Sequence, residues 1–127
     1  MKRALGLMLA VLSLAVAVCI GASGFLCATI DEARYLHNEA VRWMENGDMD
    51  RAAALMVEMA TLWREREPVL EMLASHDSIH EVKIGIIEAQ ICLECDDHDD
   101  FLRTISITGE ALDHMRAVEA LSFSNLY

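Results

Sequence analysis

Two patterns of apolar residues divide the chain. From Ala4 to Ile30 there is no charged residue at all, and from Asp31 onward apolar positions recur every three or four residues between charged ones. The first pattern predicts one uniformly apolar helix and the second a set of amphipathic helices. Thr29-Ile30-Asp31-Glu32 has the form of a capping box, a hydroxyl followed three residues on by a carboxylate. It opens a helix to about Glu45 with Ala33, Leu36, Ala40 and Trp43 on one stripe; alternatively this helix simply continues the apolar one. Asn46-Gly47 closes it and Asp48 can cap the next, whose inner stripe is Ala52, Leu55, Met59, Leu62 and Arg66, broadened by Met56 and Trp63. Pro68 is expected to break or kink that run, leaving a short continuation through Val69, Leu70 and Leu73.

Ser78-Ile79-His80-Glu81 is a second capping box and predicts the start of a third helix. Its seam is Ile79, Val82, Ile86, Ala89 and Leu93. Ile84, Ile87 and Ile91 add a second apolar face, which predicts a central helix. Asp97, with Asp100 three later, starts a fourth helix carrying Phe101, Ile105, Thr108, Leu112 and Met115 inward. Gly85 and Gly109 fall inside these patterns and are expected only to weaken them.

The two acidic turns resemble each other: Glu45 to Ala52 aligns with Glu94 to Phe101 at an offset of 49 residues. The expected fold class is therefore all-α: an N-terminal membrane helix followed by two antiparallel helical hairpins. A four-helix bundle or a tetratricopeptide-like pair fits, since two units are too few for a solenoid. Strand formers in alternation are absent, and Ala, Leu, Met and Glu dominate.

The leading run of 27 uncharged residues exceeds the roughly 20 that span a bilayer as helix. A cleaved signal peptide is the rival reading, because Ala22-Ser23-Gly24 offers small residues for cleavage. The length of the run, and the apolar Phe25-Leu26-Cys27 beyond it, favour an uncleaved anchor. Lipid attachment at Cys19 or Cys27 is disfavoured, since Val18 and Leu26 precede them rather than small residues. The organisation is thus residues 1–30 as anchor and 31–127 as an acidic helical domain of 97 residues, room for a single modest core. Lys2 and Arg3 should stay in the cytoplasm, which sends the domain to the extracytoplasmic side of the cell membrane.

Charge narrows the partners. The net charge is −11, and setting aside Lys2 and Arg3 leaves 8 basic against 21 acidic residues, or −13, for the rest. Such a surface repels phosphate, so nucleic acid is excluded as a partner and anionic headgroups are unfavourable. A protein partner at the membrane or envelope is expected instead, a basic or cationic one being favoured.

Candidate chemistry is sparse. Cys92-Leu93-Glu94-Cys95 has C-x-x-C spacing with His98 just beyond, the pattern of half a zinc site or a thiol redox pair. No second pair completes four ligands, and a helix C-terminus raises thiol pKa rather than lowering it. Structural cysteines or an incidental disulfide is the plainer expectation. His76 and His80 are four apart, and a hairpin turning near residue 97 places His114 opposite His80, so that three imidazoles could converge on a metal with Glu110 or Asp113 nearby. Caps and surface positions near a helix start explain these histidines more simply, and no metal or cofactor is expected. Asn46, Asp48 and Asp50 match the first, third and fifth positions of an EF-hand loop, but Arg51 and Val57 stand where glycine and glutamate are needed. No glycine-rich phosphate loop or nucleophile elbow is present, and Ser75 and Ser78 beside His76 read as caps. Trp43 and Trp63 read as core, with Trp43 near the membrane interface if its helix is short. The expectation is a non-enzymatic interaction protein; the alternative is an extracytoplasmic metal-binding or thiol-redox sensor.

The apolar leader, Trp63, the segment His76-Asp77-Ser78-Ile79, the acidic turn Asp96 to Asp100 and the closing Leu121-Ser122-Phe123-Ser124-Asn125-Leu126-Tyr127 together resemble one family over most of the chain. This is a family of small membrane-anchored bacterial proteins known as domain of unknown function 4363. The resemblance implies a fold and a location and brings no catalytic residues with it.

Overall fold

A computed structural model describes residues 1–124 and contains four helices among them: α1 (Lys2–Glu45), α2 (Met49–Leu73), α3 (His76–Glu94) and α4 (His98–Ser124). The last three residues of the closing motif named above, Asn125, Leu126 and Tyr127, lie outside the described residues. Successive helices run antiparallel. α1 packs on α2 and α4, and α3 packs on α2 and α4, while among the described residues the backbones of the diagonal pairs stay further apart. The four helices therefore stand at the corners of a square and close a bundle, which separates this arrangement from an open stack of helical pairs.

α1 is a single helix of 44 residues. The capping box at Thr29 does not form. The Thr29 hydroxyl instead donates back to the Phe25 carbonyl at 2.9 Å, four residues earlier, and is fully buried. No proline and no positive-φ residue occurs near this point, so nothing stops the apolar helix from running into the amphipathic one. Burial starts ahead of the expected boundary at residue 30: Leu26, Thr29 and Ile30 already belong to the bundle, whereas residues 1–21 are all exposed. Trp43 lies two turns beyond Leu36 near the far end of α1, so the condition for placing it near an interface, a short helix, is not met.

Both acidic turns use the same backbone device. In the first, the Asp48 N–H donates to the Trp43 carbonyl at 2.9 Å and the Gly47 N–H to Met44 at 3.0 Å. In the second, the Asp97 N–H donates to Cys92 at 2.9 Å and the Asp96 N–H to Leu93 at 3.2 Å. Every partner is displaced by the 49 residues of the sequence repeat. Asp48 and Asp97 then cap the following helices, each accepting from an amide three residues on at 3.1 Å. Gly47 has φ 82°, as such helix ends require, and Asp96 occupies the equivalent place at φ 55°. Aspartate tolerates this left-handed conformation better than most residues, which makes a cost of about 1 kcal/mol bearable.

Two other expectations shift. α3 starts at His76, one turn before the predicted box, because Ser75 is the cap: its side chain accepts from the Ser78 N–H at 3.2 Å. α2 runs unbroken through Pro68. Pro68 is exposed, so its ring lies on the outer face, where the carbonyl it leaves unpaired at Arg64 can bond water.

The core takes the predicted stripes, with Trp63, Phe101, Met56, Met59, Leu70, Ile79, Ile86, Ile105 and Leu112 among its largest fully buried side chains. Gly85 does more than weaken α3. It is buried, and a Cβ there would overlap Thr108 Oγ1 and come within 3.1 Å of Thr108 Cβ, so its missing side chain sets the α3–α4 approach. Gly85→Ala is accordingly expected to lower stability by about 1–3 kcal/mol through overpacking, although alanine favours an isolated helix by about 1 kcal/mol. Urea denaturation of Gly85→Ala, Thr108→Ala and the double variant checks this. Thr108→Ala should recover part of the loss, and simple additivity would show that the two sites do not share the contact.

Candidate functional site

The histidines proposed for a metal do not assemble. The α3–α4 register, read from Gly85 against Thr108 and from the 4.0 Å contact of Cys92 Sγ with Thr104 Oγ1, does set His80 level with His114 as the turn position implied. Both are exposed, on outward faces of their helices. His76 and His80 do meet: their rings stack with centroids 6.0 Å apart, and His76 Nδ1 lies 3.5 Å from Glu71 Oε1. Among the described residues, no group of three or more His, Cys, Asp or Glu side chains is placed to hold a metal ion.

Cys92 is half-buried at the last turn of α3 and Cys95 is its exposed C-cap; both are free thiols, as are Cys19 and Cys27. His98 opens α4, with Nε2 4.0 Å from Asp96 Oδ1. Asn46 to Asp48 form a turn of three residues whose Asp48 carboxylate is spent on capping, and Asp50 is already within α2. The Ser75 hydroxyl donates to that of Ser78 at 2.8 Å, so these two serines bond each other and not His76.

Two buried polar residues, His37 and Thr104, carried no expectation from the sequence. His37 lies on the Ala33–Ala40 face of α1 and is 7% exposed. Its Nε2 meets the Ile105 carbonyl at 2.6 Å and its Nδ1 the Asn38 side-chain oxygen at 3.0 Å. Its position four after Ala33 and three before Ala40 was the available signal. Gly109 gives it room, because a Cβ there would stand 2.7 Å from His37 Nε2 and overlap the Arg34 guanidinium. Arg34 in turn pairs with Asp113 at 3.3 Å, and Arg116 with Asp31 at 3.6 Å, so the α1–α4 seam combines a buried imidazole with a partly exposed ionic edge. At the opposite end, the guanidinium groups of Arg42 and Arg51 lie over the Trp43 ring, 4.9 and 4.1 Å from its centroid. The Arg42 guanidinium hydrogen bonds Glu39 and holds that carboxyl below the ordinary carboxylate range.

What remains on the surface is a ridge. Ile84, Ile87 and Ile91, expected to make α3 central, are exposed by 38%, 41% and 52%, since a corner helix buries only the sides facing its two neighbours. Glu81, Glu88 and Glu94 flank them. Beside the ridge, Trp63, Arg64, Glu67, Lys83, Ile87 and Gln90 line a shallow groove of about 260 Å³ between α2 and α3, bridged by Lys83 and Glu67 at 3.0 Å. A three-residue apolar stripe with carboxylates alongside can bind another helix.

At the other extreme, α1 is long and apolar enough to cross a membrane: its most apolar window of 18 residues has a mean hydropathy of 2.6, with none of it buried. Comparison with known proteins finds one family whose profile, described as a domain of unknown function (DUF4363), matches residues 25–126. No curated protein and no solved structure matches the chain.

Proposed function

The chain belongs to the DUF4363 family, a domain of unknown function, and we propose that within it this protein is a non-catalytic interaction module carried on a single membrane span. The observation that carries the reading is the continuity of α1. One unbroken helix supplies both an exposed apolar segment, residues 4–21, and one wall of the bundle from Leu26 onward. Eighteen residues at 1.5 Å each give about 27 Å of helix, and one further turn reaches the full hydrocarbon thickness of about 30 Å. This supports an anchor whose outer limit falls at the edge of the folded part. Lys2 and Arg3 support a cytoplasmic N-terminus and an extracytoplasmic bundle.

The contact surface is the Ile84, Ile87 and Ile91 ridge. Its flanking carboxylates Glu81, Glu88 and Glu94, on a domain of strong negative charge, suit a partner helix with an apolar stripe edged by lysine or arginine. A photocrosslinking residue placed at Ile87 in the full chain, in intact cells, should yield a discrete adduct with a membrane or envelope protein. The same residue at Glu110, on the outer face of α4, should yield far less. Equal labelling from both positions, or none from Ile87, would refute the assigned surface. The same samples report the anchor: a mature species starting near Phe25 and free in the medium would refute it.

A further inference from the structure

We propose that the end of the bundle from which the apolar part of α1 emerges is itself a lipid-interface surface, seated in the bilayer boundary through Met72, Val118 and Leu121. The proposal rests on the reading of residues 4–21 as a membrane span.

Register fixes which residues share that end. The Ser23 hydroxyl donates to the Glu119 carboxylate at 2.7 Å, so Glu119 of α4 stands level with Ser23 of α1. α4 runs antiparallel to α1 and continues to Ser124, five residues further, which takes it past Ser23 in the direction of the span. On the other side, α1 and α2 reverse around Gly47, and Arg66 reaches both Thr29, at 3.3 Å, and the Phe25 ring, at 5.1 Å. α2 ends at Leu73, nearly two turns beyond Arg66, so its last residues descend to about the level of Ala22. The helix therefore leaves the bundle between two neighbours that reach as low as it does. No stalk separates the folded part from the apolar segment.

Three large apolar side chains stand out at that level. Met72 is 82% exposed, Leu121 63% and Val118 51%, and behind them Leu26, Leu73 and Met115, together with Ser75, Ser78 and Glu119, help to line an open crevice of about 330 Å³. Counted from Ala4, the roughly 20 residues that cross a hydrocarbon core end near Ser23, the level that Glu119 marks on α4. Met72 on one side and Val118 and Leu121 on the other thus flank the helix at the depth where water gives way to acyl chains, and apolar side chains are favoured there. Continuity with the span identifies the occupant as lipid, because a protein partner at this end would have to displace bilayer to reach it. The exposed Glu71 and Asp77 at the same end favour neutral over anionic headgroups.

The test uses the full chain with its four native cysteines replaced by alanine and single cysteines introduced as Met72→Cys, Leu121→Cys, Leu12→Cys or Glu45→Cys, each carrying an environment-sensitive fluorophore. In phosphatidylcholine vesicles containing a headgroup-proximal spin-labelled lipid, the probes at 72 and 121 should be quenched at least about threefold more than the probe at 45, which lies some 30 Å further along α1, and in vesicles whose spin label sits near the end of the acyl chain the probe at 12 should be quenched. Quenching at 12 with residues 72 and 121 behaving like 45 would overturn the lipid seat while leaving the span in place. Absence of quenching at 12 would overturn the span and the seat together. Each labelled protein is checked for parental helicity by circular dichroism, and Val118→Cys replaces either position if its label unfolds the bundle.

Discussion

Leu9→Arg combined with Leu12→Arg is expected to release the protein from membranes. Both leucines are exposed and near the middle of the apolar segment. Exchanging leucine for arginine at the centre of a membrane helix costs about 3 kcal/mol each, hence about 6 kcal/mol for the pair. Residues 1–21 contribute nothing to the core, so the bundle itself should be unaffected. The measurement is the share of full-length protein that resists alkaline carbonate extraction, with Leu9→Ala and Leu12→Ala together as the control that keeps the segment apolar. If the arginine pair remains in the pellet as firmly as the control, the segment is not what holds the protein there.

Trp63→Ala should produce the largest loss of folded stability of any single truncation in the core, about 3–5 kcal/mol. Trp63 is 1% exposed, and its indole N–H donates to the Ile79 carbonyl at 3.2 Å. It therefore fills the space between α2 and α3 and also ties the second helix to the start of the third. Apart from the tight turn at Ala74 and Ser75, the other polar ties across that junction are the Lys83–Glu67 pair and the 3.5 Å contact of His76 with Glu71, both partly exposed and so contributing little. Domains of this size are stable by only about 5–15 kcal/mol, so the loss would be a large fraction of the total. Trp63→Phe should cost less, keeping most of the apolar volume while losing the hydrogen bond, on the order of 1 kcal/mol for that bond. Thermal melts in mild detergent, followed by circular dichroism, compare the two. Equal melting temperatures for Trp63→Ala and the parent would show that the α2–α3 seam does not depend on this ring.

The sequence carried most of the fold. The stripe Phe101, Ile105, Thr108 and Leu112 is spaced by the helical period and buried throughout, whereas of Ala52, Leu55, Met59, Leu62 and Arg66 only Ala52, Met59 and Leu62 are buried, the core there being completed by Met56 and Trp63. The two turns were legible because glycine and aspartate are placed where a reversing backbone needs a positive φ and a capping oxygen. Boundaries were less so. Ser75 and Ser78 are chemically equivalent as caps, and only the path of the chain leaving α2 selects the first. Thr29 has two possible hydrogen-bond habits, and the one adopted depends on the helix already present before it. The three-histidine idea succeeded in level and failed in direction: axial position follows from counting residues, but the facing of His80 and His114 depends on how the helices turn about their axes. The same limit hid the ridge. Ile84, Ile87 and Ile91 look like a second core face in a helical projection, and only the square arrangement, in which α3 and α1 stand diagonally across the bundle, leaves them outside.

The uninterrupted α1 has a mechanical meaning. A rod without a hinge transmits orientation, so if its lower half spans a bilayer as proposed, whatever sets the lean of that half also sets the heading of everything built on its upper half. From Leu12 to the Gly47 turn is roughly 50 Å of helix, and a lean of 10°, well inside the usual range for such rods, would swing that turn sideways by about 9 Å. Membrane thickness would then act as a steering input, aiming the isoleucine ridge toward or away from a neighbour without any rearrangement inside the bundle.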